Sequence, residues 1–252
     1  MPPVKTRASP VLNPDQLDQI DDIVGIIRKA SYTVAMTGAG ISVESGIPPF
    51  RGADGLWTRH GTPPMDGYAQ FRKDPVGWWN RRTNEKIDSH VMELRDALAN
   101  AKPHAGHFAL VGMERIGVLD SVITQNIDGL DEKAGLVNLV EIHGNRQKLR
   151  CVECGNRESL GEIVPLFAPD PCDGCGGLVK FDTVMFGEPI PDDVMAAARD
   201  ELKTDEYRVY VVELDFEAIK DDNGALNKLK KKNTFESEPR AAFYVGQSAH
   251  SA

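Results

Sequence analysis

Residues 32–46 read YTVAMTGAGISVESG, and this run decides the fold. Tyr32–Thr37 is short and rich in strand-forming residues. It passes directly into Gly38-Ala39-Gly40. Two glycines there let the backbone approach a pyrophosphate, and the start of the following helix faces the anion. The spacing is not the strict G-x-G-x-x-G, so a tight strand-to-helix turn with no ligand is the competing reading of this triplet. Upstream, Asn13-Pro14 supplies a cap and a first helical position. Leu17, Ile20, Ile23, Val24 and Ile27 then recur at helical spacing up to Ala30. Helix, strand and glycine turn, in that order, form the entry to a nucleotide-binding α/β unit.

Downstream, residues 46–79 are rich in Pro, Gly and aromatics, including Phe50, Trp57 and Phe71, and read as a long functional loop. Helical patterns follow over about 84–101 and 104–116. Leu119–Thr124 (LDSVIT) reads as a second strand and runs into QNIDGL, with polar residues where α/β sheets bind ligands. Asn126 offers both a donor and an acceptor to a carboxamide or a ribose hydroxyl, and Asp128 an acceptor. An ordinary Asx turn gives the same string. NLVEIHG reads as a third strand ending at His143, whose imidazole exchanges protons near neutral pH. Residues 179–193 (VKFDTVMFGEPIPDD) return to strand and turn character, and residues 198–216 read as a helix followed by a strand.

The four cysteines form two C-x-x-C pairs, Cys151/Cys154 and Cys172/Cys175. Each pair can place two thiolates on one metal, and two pairs complete a tetrahedron of the structural zinc type with no position left for water; unbound thiols or a redox pair are the competing reading. Gly155, Gly174, Gly176 and Gly177 suit tight knuckles beside the ligands.

The chain has 252 residues, 41% hydrophobic and 27% charged, with a formal net charge of −9. That balance suits one large domain or a medium domain with a small insert. It argues against general attraction to nucleic acid or anionic membrane. With no apolar run of spanning length and no signal-type stretch at the N-terminus, the expectation is an intracellular, cytoplasmic protein.

Five strings, TGAGISVESGIPPFRGADGLW (37–57), TQNIDGL (124–130), EIHGN (141–145), the paired cysteines and VMFGEP (184–189), occur in one order across residues 30–191. Together they resemble the sirtuin family of NAD-dependent protein-lysine deacylases. Pro49 stands where the commonest family form has Asp and reads as a mark of subfamily. The resemblance implies a Rossmann-like parallel sheet with a small zinc-ribbon insert. On this reading residues 1–13 are a flexible leader, 14–146 and 181–219 the NAD-binding domain, 147–180 the zinc module and 220–252 a divergent tail.

The resemblance also implies roles. Gly38, Ala39, Gly40 and Ser42 line the NAD phosphates, and Phe50 and Arg51 lie over the reactive ribose and phosphate. Gln125, Asn126 and Asp128 hold nicotinamide and its ribose, with Asn126 beside His143, the catalytic base. Val184, Phe186, Gly187 and Glu188 pair with an acyl-lysine peptide as an added strand. The acyl group passes to ADP-ribose and nicotinamide is released, so NAD is consumed. Residues 77–87 (GWWNRRTNEKI) lack the Tyr and Arg, three apart, of desuccinylase-type sirtuins, which favours acetyl or another neutral acyl group. His107 reads as packing.

After Pro191 the resemblance fades. No GTS segment follows, YRVYVVELDF (207–216) stands in its place, and the expected sheet is incomplete on its adenosine side. Two other readings stay open on sequence alone: a catalytically weak NAD- or ADP-ribose-binding remnant, and a zinc-ribbon interaction module on an α/β platform.

Overall fold

The computed structural model describes residues 14–52, 55–81, 89–161, 168–202, 207–210 and 240–245. Helix α1 (Pro14–Lys29) leads into strand β1 (Thr33–Thr37), followed by a 3-10 helix over Ala39–Ser45. The 46–79 stretch, expected as loop, instead carries helices α2 (Leu56–His60), α3 (Gly67–Lys73) and most of α4 (Pro75–Arg81). The physical reason is packing. Phe71 and Trp79 are 0% and 1% exposed, and short helices let both enter one core while their backbone groups stay paired. Burying side chains of this size contributes roughly 1.5–3 kcal/mol each.

Helix α5 (Ser89–Asn100) covers the described part of the 84–101 expectation, whose first residues lie outside the described ones. Helix α6 (Ala105–Arg115) precedes β2 (Ser121–Thr124), α7 (Leu130–Ala134) and β3 (Leu139–Glu141). Next come β4 (Gly144–Cys151), β5 (Arg157–Ser159), β6 (Val179–Thr183), α8 (Asp192–Glu201), β7 (Tyr207–Tyr210) and β8 (Arg240–Val245).

Two sheets result. One is five-stranded and parallel, in the order β3-β2-β1-β8-β7, and the other is a three-stranded antiparallel sheet in the order β5-β4-β6. Strands β1 and β2 are covered on both faces, which is why they read as apolar runs rather than alternating ones. Ala35 and Val122 pack with Leu110 and Val111 of α6 on one face, and Val34 and Ile123 pack with Ala198 of α8 on the other. The strand order reverses at β1. The crevice beyond the carboxyl ends of β1 and β2 is therefore where such sheets bind ligands. β8 comes from the tail expected to be divergent, and its backbone pairs with all of β1 from Thr33↔Ala241 to Thr37↔Val245.

The smaller sheet spans Gly144 to Thr183 and carries the cysteines. Phe71, Trp79, Leu149 and Phe181 form the core that joins it to α3 and α4. Among the described residues no helix is long and apolar enough to cross a membrane.

Candidate active site and metal centre

β1 and β2 end side by side on a hydroxyl pair. Thr37 Oγ1 donates to Thr124 Oγ1 at 2.7 Å, and the Asn126 backbone N–H donates to the same Thr124 oxygen at 3.2 Å. These bonds bring the two polar loops together. Asn126 Nδ2 donates to the Gly38 carbonyl at 3.0 Å and to Ser42 Oγ at 3.1 Å. Ser42 Oγ in turn donates to Asp128 Oδ2 at 2.7 Å. Ser42, Asn126 and Asp128 are all buried, at 1%, 8% and 5% exposure, as members of one network. Both Asn126 amide hydrogens are thus used within the protein, leaving Oδ1 as the acceptor for a hydroxyl. Asp128 Oδ1 already accepts from the Leu130 backbone N–H at 2.9 Å. Its first task is to fix Ser42 and the start of α7.

Gly38 is the extended residue that opens the 3-10 helix, which Gly46 closes at a φ of 88°. Ala39 and Gly40 are half-buried on its first turn. The helix is anchored from the side, because His104 caps α6 and its Nε2 meets the Ile41 carbonyl at 2.5 Å.

His143 lies just past β3, in the turn into β4, rather than at the end of the strand. Its Nδ1 is 3.0 Å from the Gln125 carbonyl. A carbonyl only accepts, so Nδ1 carries a proton, and in the neutral ring Nε2 is the nitrogen with the lone pair. Gln125 is itself tied to β1 through its N–H on the Thr37 carbonyl at 2.9 Å. The His143 carbonyl accepts from the Val184 N–H at 2.8 Å. The next residue must be glycine. Gly144 has φ of +76°, and a Cβ there would sit 1.8 Å from the Asp182 carbonyl oxygen. Below the turn, fully buried Asn145 donates to Glu141 Oε1 at 2.6 Å and accepts from the Gln147 N–H at 2.8 Å.

Three aromatic rings from the loop before α2, from α2 and from the loop after β6 meet one another. Phe50 and Trp57 have ring centroids 5.1 Å apart, Trp57 and Phe186 5.8 Å, and the Arg51 guanidinium lies 5.2 Å above the Trp57 ring. Phe50 and Phe186 are both 37% exposed, open faces for a ligand. The predicted substrate loop follows β6. Its Phe186 carbonyl accepts from the Tyr68 N–H at 3.0 Å, and Gly187 turns at a φ of +80° against the Met65 carbonyl.

Glu188 behaves differently from its neighbours in that loop. Its side chain is 3% exposed. It accepts from Arg150 Nη2, from Lys180 Nζ at 3.0 Å and from the Met185 N–H at 2.8 Å. It therefore faces the protein rather than a peptide.

The four cysteines converge as their spacing requires. All four Sγ atoms lie within 4.8 Å of one another. Cys151 and Cys175 are 3.5 Å apart and Cys154 and Cys172 3.7 Å. A zinc ion with Zn–S of about 2.3 Å needs sulfur edges near 3.8 Å, so the set fits. The two knuckles share one design, each closing on a glycine in the left-handed region, Gly155 at +75° and Gly176 at +71°. At Gly177 a Cβ would lie 2.9 Å from Cys151 Sγ. With four protein thiolates, zinc supplies folding free energy here rather than an activated water.

Two buried ionisable groups lie beneath the site. His107 is fully buried; loss of solvation, with a smaller contribution from His104, pushes it down to about 4, so the ring is neutral at pH 7. Its Nδ1 accepts from the His104 backbone N–H at 3.4 Å, and its ring meets that of His104 edge-on at 4.6 Å. Burial, with Asp128 as the next cause, pushes Asp131 up to about 6.

Trp57, His104, Arg150 and Lys180 were not singled out in the sequence as site residues. Trp57 had a local signal, the GLW after the glycine turn. Lys180 and Arg150 had none, since the Glu188 that both hold lies in the loop after β6 and the other carboxylate partner of Arg150, Asp182, lies across the sheet on β6.

Residues 38–212 match the Sir2 family. The chain is 40% identical over 191 residues to an NAD-dependent protein deacetylase of Haloarcula marismortui, covering 72% of this chain and 69% of the relative. It is 39% identical over 184 residues to NAD-dependent protein deacylase 1 of Archaeoglobus fulgidus, covering 73% and 71%. Among solved structures it is similar to a Sir2–p53 peptide–NAD+ complex, with a TM-score of 0.54, 28% identity and coverage of 76% of this chain and 75% of that one.

Proposed function

Because this chain belongs to the Sir2 family, we propose that it removes acyl groups from protein lysines, consuming NAD and releasing nicotinamide. NAD is a co-substrate, which supplies a leaving group and the ribose that receives the acyl group.

The observation that carries this reading is the His143 geometry. Its Nδ1–H is held by the Gln125 carbonyl, which leaves Nε2 as the ring atom to take a ribose hydroxyl proton. Asn126 Oδ1 orients that ribose, with Asn126 held by Gly38 and Ser42. Gly38, Ala39, Gly40 and Ser42 cradle phosphate, and Gln125 and Asp128 position the nicotinamide end. Phe50, Arg51 and Trp57 cover the ribose and keep water from it. Val184, Phe186 and Gly187 receive the acyl-lysine as an added strand.

Acetyl or another neutral acyl group is the favoured substrate. A cytoplasmic setting suits four cysteines that form no disulfide, since a reducing compartment keeps them available to a metal. Nicotinamide release from NAD, with and without an acetyl-lysine peptide, tests the assignment. Peptide-dependent release is expected, and none from a pure, zinc-loaded chain overturns it.

A further inference from the structure

Glu188 is where the substrate loop and the cysteine-bearing sheet meet. A run of alternating charges starts there. Lys180 joins Glu188 at 3.0 Å, and Arg150 joins Glu188 on one side and Asp182 at 2.8 Å on the other. Asp182 also pairs with Arg157 at 2.8 Å, and Arg157 pairs with Asp193 of α8 at 2.6 Å. The charges alternate in sign from Lys180 through Glu188, Arg150, Asp182 and Arg157 to Asp193. All of them except Glu188 and Asp193 lie in the three-stranded sheet.

The inner end of this chain is dry. Lys180 is wholly buried, and its ammonium donates to the Phe181 carbonyl at 3.0 Å, the Thr183 carbonyl at 2.6 Å and Glu188. Those are three acceptors for three hydrogens. Glu188 uses both oxygens, and its remaining bond to the Met185 N–H at 2.8 Å is answered by its own N–H on the Met185 carbonyl at 2.9 Å. The turn that presents Phe186 and Gly187 is thus closed twice on itself and pinned to β4 and β6. Hydrogen-bonded charges held this far from water allow few alternative geometries.

We infer that Glu188 is a positioning residue: clamped by Lys180 and Arg150, it transmits the fold of the zinc-bearing sheet to the loop that receives acyl-lysine. This rests on the deacylase reading above. Its consequence is selective. Loosening the clamp misplaces the peptide edge and leaves the NAD floor, built on β1 and β2, in place.

The test measures acetyl-lysine peptide binding by fluorescence anisotropy and NAD binding by calorimetry on the full chain. Wild type is compared with Glu188→Gln, Lys180→Arg and, as a milder break farther along the chain, Arg157→Gln. Zinc content and Tm are recorded for each. Glu188→Gln is expected to weaken peptide binding about tenfold to a hundredfold, the usual cost of an ångström-scale misplacement, with NAD affinity within about twofold of wild type. Arg157→Gln should show a smaller loss of the same kind, and Lys180→Arg, which keeps a cation on Glu188, should retain most of the affinity. If Glu188→Gln fails to fold, Arg157→Gln decides the matter. Equal peptide affinity in the folded variants overturns the inference, as does a parallel loss of peptide and NAD affinity. A wild-type chain that binds no acetyl-lysine peptide overturns the functional reading and this inference with it. Binding by wild type and variants alike removes this inference alone.

Discussion

The Val184 N–H donates to the His143 carbonyl at 2.8 Å, so the proposed base and the first residue of the substrate loop share one backbone hydrogen bond. Replacing the imidazole leaves that bond intact. His143→Ala should therefore keep the loop, the zinc sheet and NAD affinity. Deacylation should fall by roughly 10²–10⁴-fold, the share of a positioned base. Single-turnover kinetics beside NAD calorimetry check this, and near wild-type turnover sinks the assignment of His143.

Gly144 sets the angle at which His143 leaves the turn. Alanine there meets the Asp182 carbonyl at 1.8 Å and must also adopt φ near +76°. The backbone term alone costs about 1–3 kcal/mol, and relieving the clash moves β4 off β6. Gly144→Ala should lower both Tm and turnover. Unchanged Tm, measured by calorimetric melting, means that the turn tolerates a side chain and that this account of Gly144 is wrong.

The cysteine knuckles predict one tightly held zinc per chain. Cys175→Ala removes an exposed ligand, so any effect comes from the metal site rather than from lost packing. It should reduce zinc content and Tm together. Metal analysis of freshly purified, folded protein checks the premise, and a full stability curve without zinc refutes it.

What the sequence revealed of this site divides by range of interaction. The glycine turn, the QNID string, the HG pair and the C-x-x-C knuckles are local, because each needs a particular backbone conformation that only a few residue types permit. They were legible, and the structure brings Ser42, Asn126 and Asp128 into one network. The short helices around Phe71 and Trp79 were not. Each is too brief for periodicity to register, and it is contact with Leu149 and Phe181, distant in sequence, that fixes them. Glu188 was placed against the peptide because its string sits in the substrate loop. Its true partners, Lys180 and Arg150, are set by the register of β4 on β6, where Arg150 pairs with Lys180, and a linear reading cannot supply that.

Two buried groups give the protein a pH dependence with opposing parts. The His107 pKa is depressed from 6.5 to about 4 in the folded state. Its contribution is present above pH 6.5 and is lost as pH falls through 4. The Asp131 pKa is raised from 3.8 to about 6. Its contribution is full below pH 3.8 and is lost as pH rises through 6. Each is worth on the order of 3 kcal/mol, so they largely offset between pH 4 and 6. Substitution should expose the hidden slope. Asp131→Asn should lose stability on acidification across that window, and His107→Gln should gain relative to wild type. Urea midpoints at pH 4.5 and 6.5 measure both, and parallel profiles for all three proteins contradict the scheme.

The last prediction concerns β8. Its backbone occupies the slot between β1 and β7, pairing with every residue of β1 and with all four of β7. A chain ending before Arg240 leaves β7 without its described partner and exposes one side of β1, the strand that delivers Gly38 to the phosphate loop. A newly exposed edge presents unpaired ladder groups to water or to a second chain, and β1 carries none of the devices that blunt a natural edge strand, such as proline or charge. Truncation after Pro239 should lower Tm, promote association and weaken NAD binding by roughly tenfold or more, the equivalent of one or two lost net hydrogen bonds. Calorimetry and light scattering on the truncated and full chains decide it. Equal Tm, equal NAD affinity and a monomeric truncated chain would show that β1 holds its place without β8.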